Sequence, residues 1–274
     1  MSLTERVGSV LLVGAGKMGG AMLDGWIERG LDAQTVAVLD PAPGEALTAL
    51  ADSGAIRLNP PLPQDWDAKV VVLAVKPQMV DQVLPDVVPH VGAHAVVVSV
   101  AAGKTIGNLA RHFPPAQPII RTMPNTPAAI GRGITVCVAN EFVSAAQRDA
   151  ATALLEASGE VAWVEDESLM DAVTAVSGSG PAYVFLLAEC LAEAGVKAGL
   201  APELAARLAR VTVSGAGELM RRSDLDPAVL RKNVTSPGGT TEAALGVLMD
   251  DNGVHALMAE AVAAATQRGK DLAG

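Results

Sequence analysis

The chain has 274 residues, half of them hydrophobic but only 3% aromatic, and 20 basic against 30 acidic residues give it a formal charge of -10. That length suits one large or two medium domains, and an interior of Ala, Val and Leu suits helices and buried parallel strands. The acidic balance, with no Lys/Arg-rich run, argues against an electrostatic grip on nucleic acid or an anionic membrane surface and leaves small molecules as the expected ligands.

Strand-like Val10–Val13 follows the N-terminus almost at once, without the charged stretch, apolar stretch and cleavage site of a secretory leader. No apolar run approaches membrane-spanning length, so no membrane partner and a cytoplasmic location are expected. From Val7 to about Val164 short β-branched runs alternate with helical patterns: strands are predicted over Val7–Val13, Val36–Leu39, Val70–Val75, Ala95–Val100, Ile119–Arg121, Ile134–Val138 and Val161–Val164, with helices such as Met18–Glu28 and Ser144–Ala157 between them. Right-handed βαβ crossovers would wind these into a doubly wound, Rossmann-type sheet occupying residues 1–165.

After Glu165 the strand signal stops, and residues 166–274 read as an all-α domain with helices near Leu169–Ala175, Pro181–Ala198, Pro202–Met220, Pro227–Lys232, Thr241–Asp250 and Val254–Leu272. Pro181, Pro202 and Pro227 sit where a first helical turn tolerates a missing N–H. The wide apolar faces of these Ala-rich helices exceed what one small domain covers, so dimerisation through this half is expected. Cys137 and Cys190 lack metal-ligand spacing and are expected as reduced core residues. His90, His94, His112 and His255 fall outside every motif, and no catalytic role is expected of them.

The first strand runs into Gly14-Ala15-Gly16-Lys17-Met18-Gly19, a G-x-G-x-x-G that closes a strand and opens a helix. Gly14 permits the tight turn, Gly16 lets the backbone approach a pyrophosphate, Gly19 lets helix and strand pack closely, and the helix N-terminus stabilises the phosphate charge. Asp40, ending the second strand, would accept hydrogen bonds from an adenine ribose diol and repel a 2′-phosphate, which points to NADH over NADPH. Ala74-Val75-Lys76-Pro77 and Ala101-Ala102-Gly103, at later strand ends, supply further walls for the cofactor. Three more segments are rich in turn formers: Arg121–Pro127, Ser177–Tyr183 and Ser236-Pro237-Gly238-Gly239-Thr240-Thr241. The last two lead into helices and could bind an anion such as a carboxylate.

With Gly14–Gly19, Ala74–Pro77, Arg121–Pro127, Ser177–Tyr183 and Asn233–Thr241 in this order, the chain resembles the pyrroline-5-carboxylate reductase family over essentially its whole length. The resemblance implies a Rossmann domain binding NADPH or NADH and a helical domain that interlocks with a second copy, giving a homodimer or a larger ring with the active site between cofactor and helical dimer. It further implies that Asn233 approaches the nicotinamide, Thr240 and Thr241 offer backbone N–H groups to the substrate carboxylate, and Glu167 lies beside the substrate pocket. Thr241 Oγ would hydrogen-bond the ring nitrogen. Asn59 matches a family Asn near the cofactor, and Pro60-Pro61-Leu62-Pro63 lengthen the segment after it.

The implied reaction, reduction of 1-pyrroline-5-carboxylate to L-proline, needs no strong acid when the imine binds already protonated. That suits a substrate side built of hydroxyls and backbone donors. A β-hydroxyacid dehydrogenase also joins these two kinds of domain but places a Lys four residues after the second Gly of a G-x-G. Here Gly178-Ser179-Gly180 puts Val184 there. A non-catalytic dinucleotide sensor is the other alternative, and the polar turn at 236–241 and Glu167 speak against it.

Overall fold

The central strands at Val10–Val13 and Val70–Leu73 form because their residues are apolar on both sides of the pleat. In the computed structural model, which describes residues 1–60 and 68–273, β1 (Val10–Val13) has four fully buried residues, and alternate side chains feed two separate cores. Val10 and Leu12 join Trp26, Leu23 and Leu154 on one face, while Leu11 and Val13 join Leu84, Leu109 and Ile119 on the other. Each such Leu or Val contributes about 1.5–3 kcal/mol by leaving water.

β2 (Val36–Leu39), β3 (Arg57–Leu58), β4 (Val70–Leu73), β5 (Val96–Ser99), β6 (Ile119–Met123), β7 (Gly133–Ala139) and β8 (Gly159–Trp163) complete an eight-stranded sheet of order β3-β2-β1-β4-β5-β6-β7-β8. The order reverses outward from β1 and β4, as a doubly wound sheet requires. Every pairing is parallel except β6 with β7, which is antiparallel. Only residues 124–132 link those two strands, too few for the crossover a parallel neighbour needs. The covering helices are α1 (Leu3–Val7), α2 (Lys17–Glu28), α3 (Glu45–Asp52), α4 (Val80–Val87), α5 (Ile106–Ala110) and α6 (Ala145–Leu155). Trp26, fully buried on α2, donates its indole N–H to Leu154 O at 2.9 Å and so ties α2 to α6.

The strand expected from Val7 begins at Val10 instead. Ser2 caps α1 in a reciprocal pair with Glu5, and that capping box holds residues 3–7 in a helix. The lengthened segment expected at Pro61–Pro63 lies outside the described residues. Past β8 come α7 (Met170–Val173), a π-helical turn at Thr174–Gly178, then α8 (Gly180–Lys197), α9 (Pro202–Arg221), α10 (Pro227–Asn233), α11 (Thr240–Leu248) and α12 (Val254–Ala273). Pro202 and Pro227 open their helices, and Pro181 is the second residue of α8. A Rossmann-type sheet followed by helices is therefore what the chain adopts.

Contacts group residues 1–178 and 266–274 into one compact unit and 179–265 into another. The segment 166–178, expected with the helical domain, thus packs with the sheet, as do the last residues of α12. In the second unit only Ala205 and Ala209 are buried, whereas Phe185, Leu186, Leu187, Val211 and Leu257 are each more than half exposed. Cys137 is buried as expected, but Cys190 is exposed on α8. The helical run Glu167–Lys197 is also, by length and composition alone, apolar enough to cross a membrane, with mean hydropathy 1.3 and 6% burial. That corrects the expectation that no run reaches such a length.

Candidate active site

The glycine loop between β1 and α2 has the shape a diphosphate needs. Gly14 has φ +87°, and a Cβ there would lie 2.8 Å from Val75 Cγ1 and 3.0 Å from Ala74 O, so only glycine lets β1 and β4 end side by side. A Cβ on Gly19 would overlap Gly14 O. Gly16, exposed at the N-cap of α2, is the reverse: nothing lies within 4 Å of where its Cβ would stand. The open face of the loop is thus bare backbone at a helix N-terminus, which fits a dinucleotide pyrophosphate. Lys17 and Met18 begin the helix behind it.

Asp40 stands beside this loop. Its Oδ2 accepts the Ala15 N–H at 2.7 Å and its Oδ1 the Ala42 N–H at 2.8 Å. Asn59, at φ +43°, clamps the Asp40 backbone, accepting its N–H at 2.9 Å and donating to its carbonyl at 2.7 Å. Sequence reasoning placed both residues near the cofactor, but the pairing of Asn59 with Asp40 was not foreseen.

Lys76 caps the turn that Pro77 opens after β4, while Ala101 is buried and Ala102 exposed after β5. Gly103 follows at φ +76°, a left-handed conformation that spares the chain a side chain there. Pro77, Gln78, Ala102, Gly103 and Lys104 line a cavity of about 450 Å³, closed by Asp171, Thr174 and Gly269. Glu167 and its partner Arg121 belong to the same unit: Arg121 Nη1 donates to Glu167 Oε1 at 3.0 Å. Neither this pair nor the bond from Asn125 Nδ2 to Ser177 Oγ at 3.3 Å was legible beforehand, though all four residues were among those the sequence singled out.

In the helical unit, Asn233 ends α10 and the turn 236–239 leads to α11. Gly239 N–H donates to Ser236 O at 3.0 Å, and Gly238 N–H to Glu242 Oε2 at 2.7 Å. The two glycine amides are therefore committed within the turn. Thr240 and Thr241, first and second residues of α11, have N–H groups with no helical carbonyl to bond, because a first turn has none behind it. An anion fits there. Val184, where a hydroxyacid dehydrogenase would carry its lysine, is an exposed residue of α8.

A dinucleotide cradle on an α/β sheet, followed by an apolar helical half with an anion-binding helix start, defines a nicotinamide-dependent oxidoreductase built to assemble through its helices. Residues 167–272 match the family described as pyrroline-5-carboxylate reductase dimerisation, and residues 9–103 the one described as NADP oxidoreductase, coenzyme F420-dependent. The chain is 40% identical over 271 residues to the pyrroline-5-carboxylate reductase of Pseudomonas aeruginosa, covering 96% of each, and 39% identical over 292 residues to that of Mycobacterium leprae, covering 98% of each. A solved pyrroline-5-carboxylate reductase of Coxiella burnetii superposes with TM-score 0.88 at 34% identity over 96% of this chain and 98% of that one. The Plasmodium falciparum pyrroline carboxylate reductase, solved with NADP bound, gives 0.79 at 28% identity over 97% and 98%. This chain belongs to the pyrroline-5-carboxylate reductase family.

Proposed function

We infer that the chain reduces the C=N bond of 1-pyrroline-5-carboxylate to L-proline with a reduced nicotinamide dinucleotide, the last step of proline biosynthesis. The observation that carries this is the division of its open backbone donors. One set surrounds Gly16, the other comprises the Thr240 and Thr241 amides, and the chain bearing them is 40% identical to a pyrroline-5-carboxylate reductase. We assign the dinucleotide-binding role to residues 1–165 and substrate binding with dimerisation to 166–274.

A bound dinucleotide would supply the hydride for C5 of the protonated imine, whose C=N π pair would pass to nitrogen. Gly14–Gly19, Asp40, Asn59, Ala74–Pro77, Ala101–Gly103 and Asn233 hold the cofactor. Thr240 and Thr241 amides bind the substrate carboxylate, with Ser236, Gly238 and Gly239 shaping the turn and Glu167 beside the ring. Thr241 Oγ accepts the ring N–H and fixes the nitrogen while its charge disappears. No side-chain acid is needed, because the proton arrives with the imine. Asp40 favours NADH, since its carboxylate repels a 2′-phosphate. A second copy covers the apolar faces of the helical unit, where two buried alanines alone make no independent core. The enzyme works in the cytoplasm, which accords with two free cysteines.

Thr241→Ala tests the assignment. Loss of a hydrogen bond to a charged group should lower kcat/KM for the imine about tenfold and leave NADH affinity at the wild-type value. Wild-type turnover and imine affinity in that variant would remove the role.

A further inference from the structure

Arg121, at 5% exposure, is the one charged side chain in the buried class among the described residues. A guanidinium so placed is costly unless paired, and its pairing here is lopsided. Nη1 donates to Glu167 Oε1 at 3.0 Å, whereas Nη2 stands 3.9 Å from Asp171 Oδ1, beyond hydrogen-bond reach. Glu167 Oε1 accepts a second bond, from the Ile106 N–H at 2.8 Å, where α5 begins. Strand β6, the start of α5 and the turn Glu167–Leu169 therefore converge on one oxygen. Glu167 Oε2 has no partner among the described residues, and its side chain is 31% exposed. The α5 start follows directly on the Ala101–Gly103 wall, and Asp171 lines the 450 Å³ cavity that this wall bounds.

A side chain that only held the fold together would gain most by bonding through both oxygens. Here both bonds fall on the same oxygen, and the other is left toward solvent. We propose that Arg121 is a positioning residue for imine reduction: it holds Glu167 turned so that Oε2 faces the substrate, where the carboxylate favours the protonated imine over the neutral one. The proposal rests on the reductase reading above. Arg121 touches neither substrate nor cofactor and acts through Glu167 alone.

The test uses the full-length enzyme as wild type, Arg121→Lys, Glu167→Gln and the double variant. Arg121→Lys keeps the charge and loses the planar fork, so it is the variant expected to fold. Measured for each are the melting temperature, the NADH dissociation constant by fluorescence, and kcat and KM for the imine separately. The expected result is that Arg121→Lys binds NADH like wild type and loses about tenfold in kcat/KM for the imine, as for one charge-assisted hydrogen bond. The double variant should be no worse than Glu167→Gln. Three results would overturn the proposal: wild-type imine kinetics in Arg121→Lys, an equal loss of NADH affinity, or single losses that multiply in the double variant. A wild-type enzyme that does not turn over the imine would instead bring down the reductase reading, and this proposal with it.

Discussion

Asp40 Oδ2 accepts the Ala15 N–H at 2.7 Å, so the carboxylate just past β2 is bonded into the glycine loop between β1 and α2. Loop shape thus depends on this side chain, and so does the proposed preference for NADH. Asp40→Ser removes the charge while keeping an acceptor. The expected outcome is a rise of about tenfold or more in the kcat/KM ratio of NADPH to NADH, the effect of roughly 1.4 kcal/mol. An unchanged ratio would take Asp40 out of cofactor selection.

Gly16 and Gly19 separate ligand binding from folding. Gly16→Ala adds a methyl where nothing of the protein lies within 4 Å, so its melting temperature should stay near wild type while NADH affinity falls at least about tenfold. Gly19→Ala drives a methyl into Gly14 O and should destabilise the protein by about 1–3 kcal/mol or more, as overpacking does. Equal NADH affinity in Gly16→Ala and wild type, by fluorescence titration, would show that the loop does not carry the diphosphate.

Glu242 holds the turn before α11, the proposed carboxylate site, by accepting the Gly238 N–H at 2.7 Å. Glu242→Ala frees that amide and loosens the entry to α11, at a cost of about 1 kcal/mol as for a lost capping contact. KM for the imine should rise about fivefold, and NADH affinity should not change. A rise in both would show that the turn supports the fold generally and has no separate substrate role.

Much of the sheet could be read directly because β1 and β4 are apolar without interruption, β5 is apolar up to Ser99, and all three feed cores on both faces. β3 could not: it is two residues, one of them exposed, and carries no pattern. The capping box of Ser2 and Glu5 was present in the sequence but lay against an apolar run that reads more strongly as strand. The glycine loop and the 236–241 turn were legible because local backbone geometry demands their residue types. Arg121 with Glu167, 46 positions apart, was not, since motif order says nothing about which side chains of two motifs meet. The expectation of a core Cys190 rests on how often a free cysteine is buried, and sequence alone does not separate burial in one chain from burial against a second copy.

Burial raises the Cys137 thiol from 9.0 to about 12, with Arg148 opposing the shift slightly. The thiolate is therefore favoured by unfolding: this group's contribution is fully present below pH 9 and is lost as pH rises toward 12. Within that window the wild type should lose stability by up to about 1.4 kcal/mol per pH unit from this group alone. Cys137→Ala should lack that component. Denaturant unfolding of both proteins from pH 9 upward checks it, and parallel curves would contradict the assignment.

Product analysis tests most directly whether this chain makes L-proline from a cyclic imine. Purified enzyme is incubated with NADH and 1-pyrroline-5-carboxylate, or with a hydroxyacid-derived ketone, and the products are separated and quantified. One L-proline formed for each NADH oxidised, with no oxidation in the ketone reaction, is the predicted result. NADH oxidised with the ketone while the imine is recovered unchanged would contradict it.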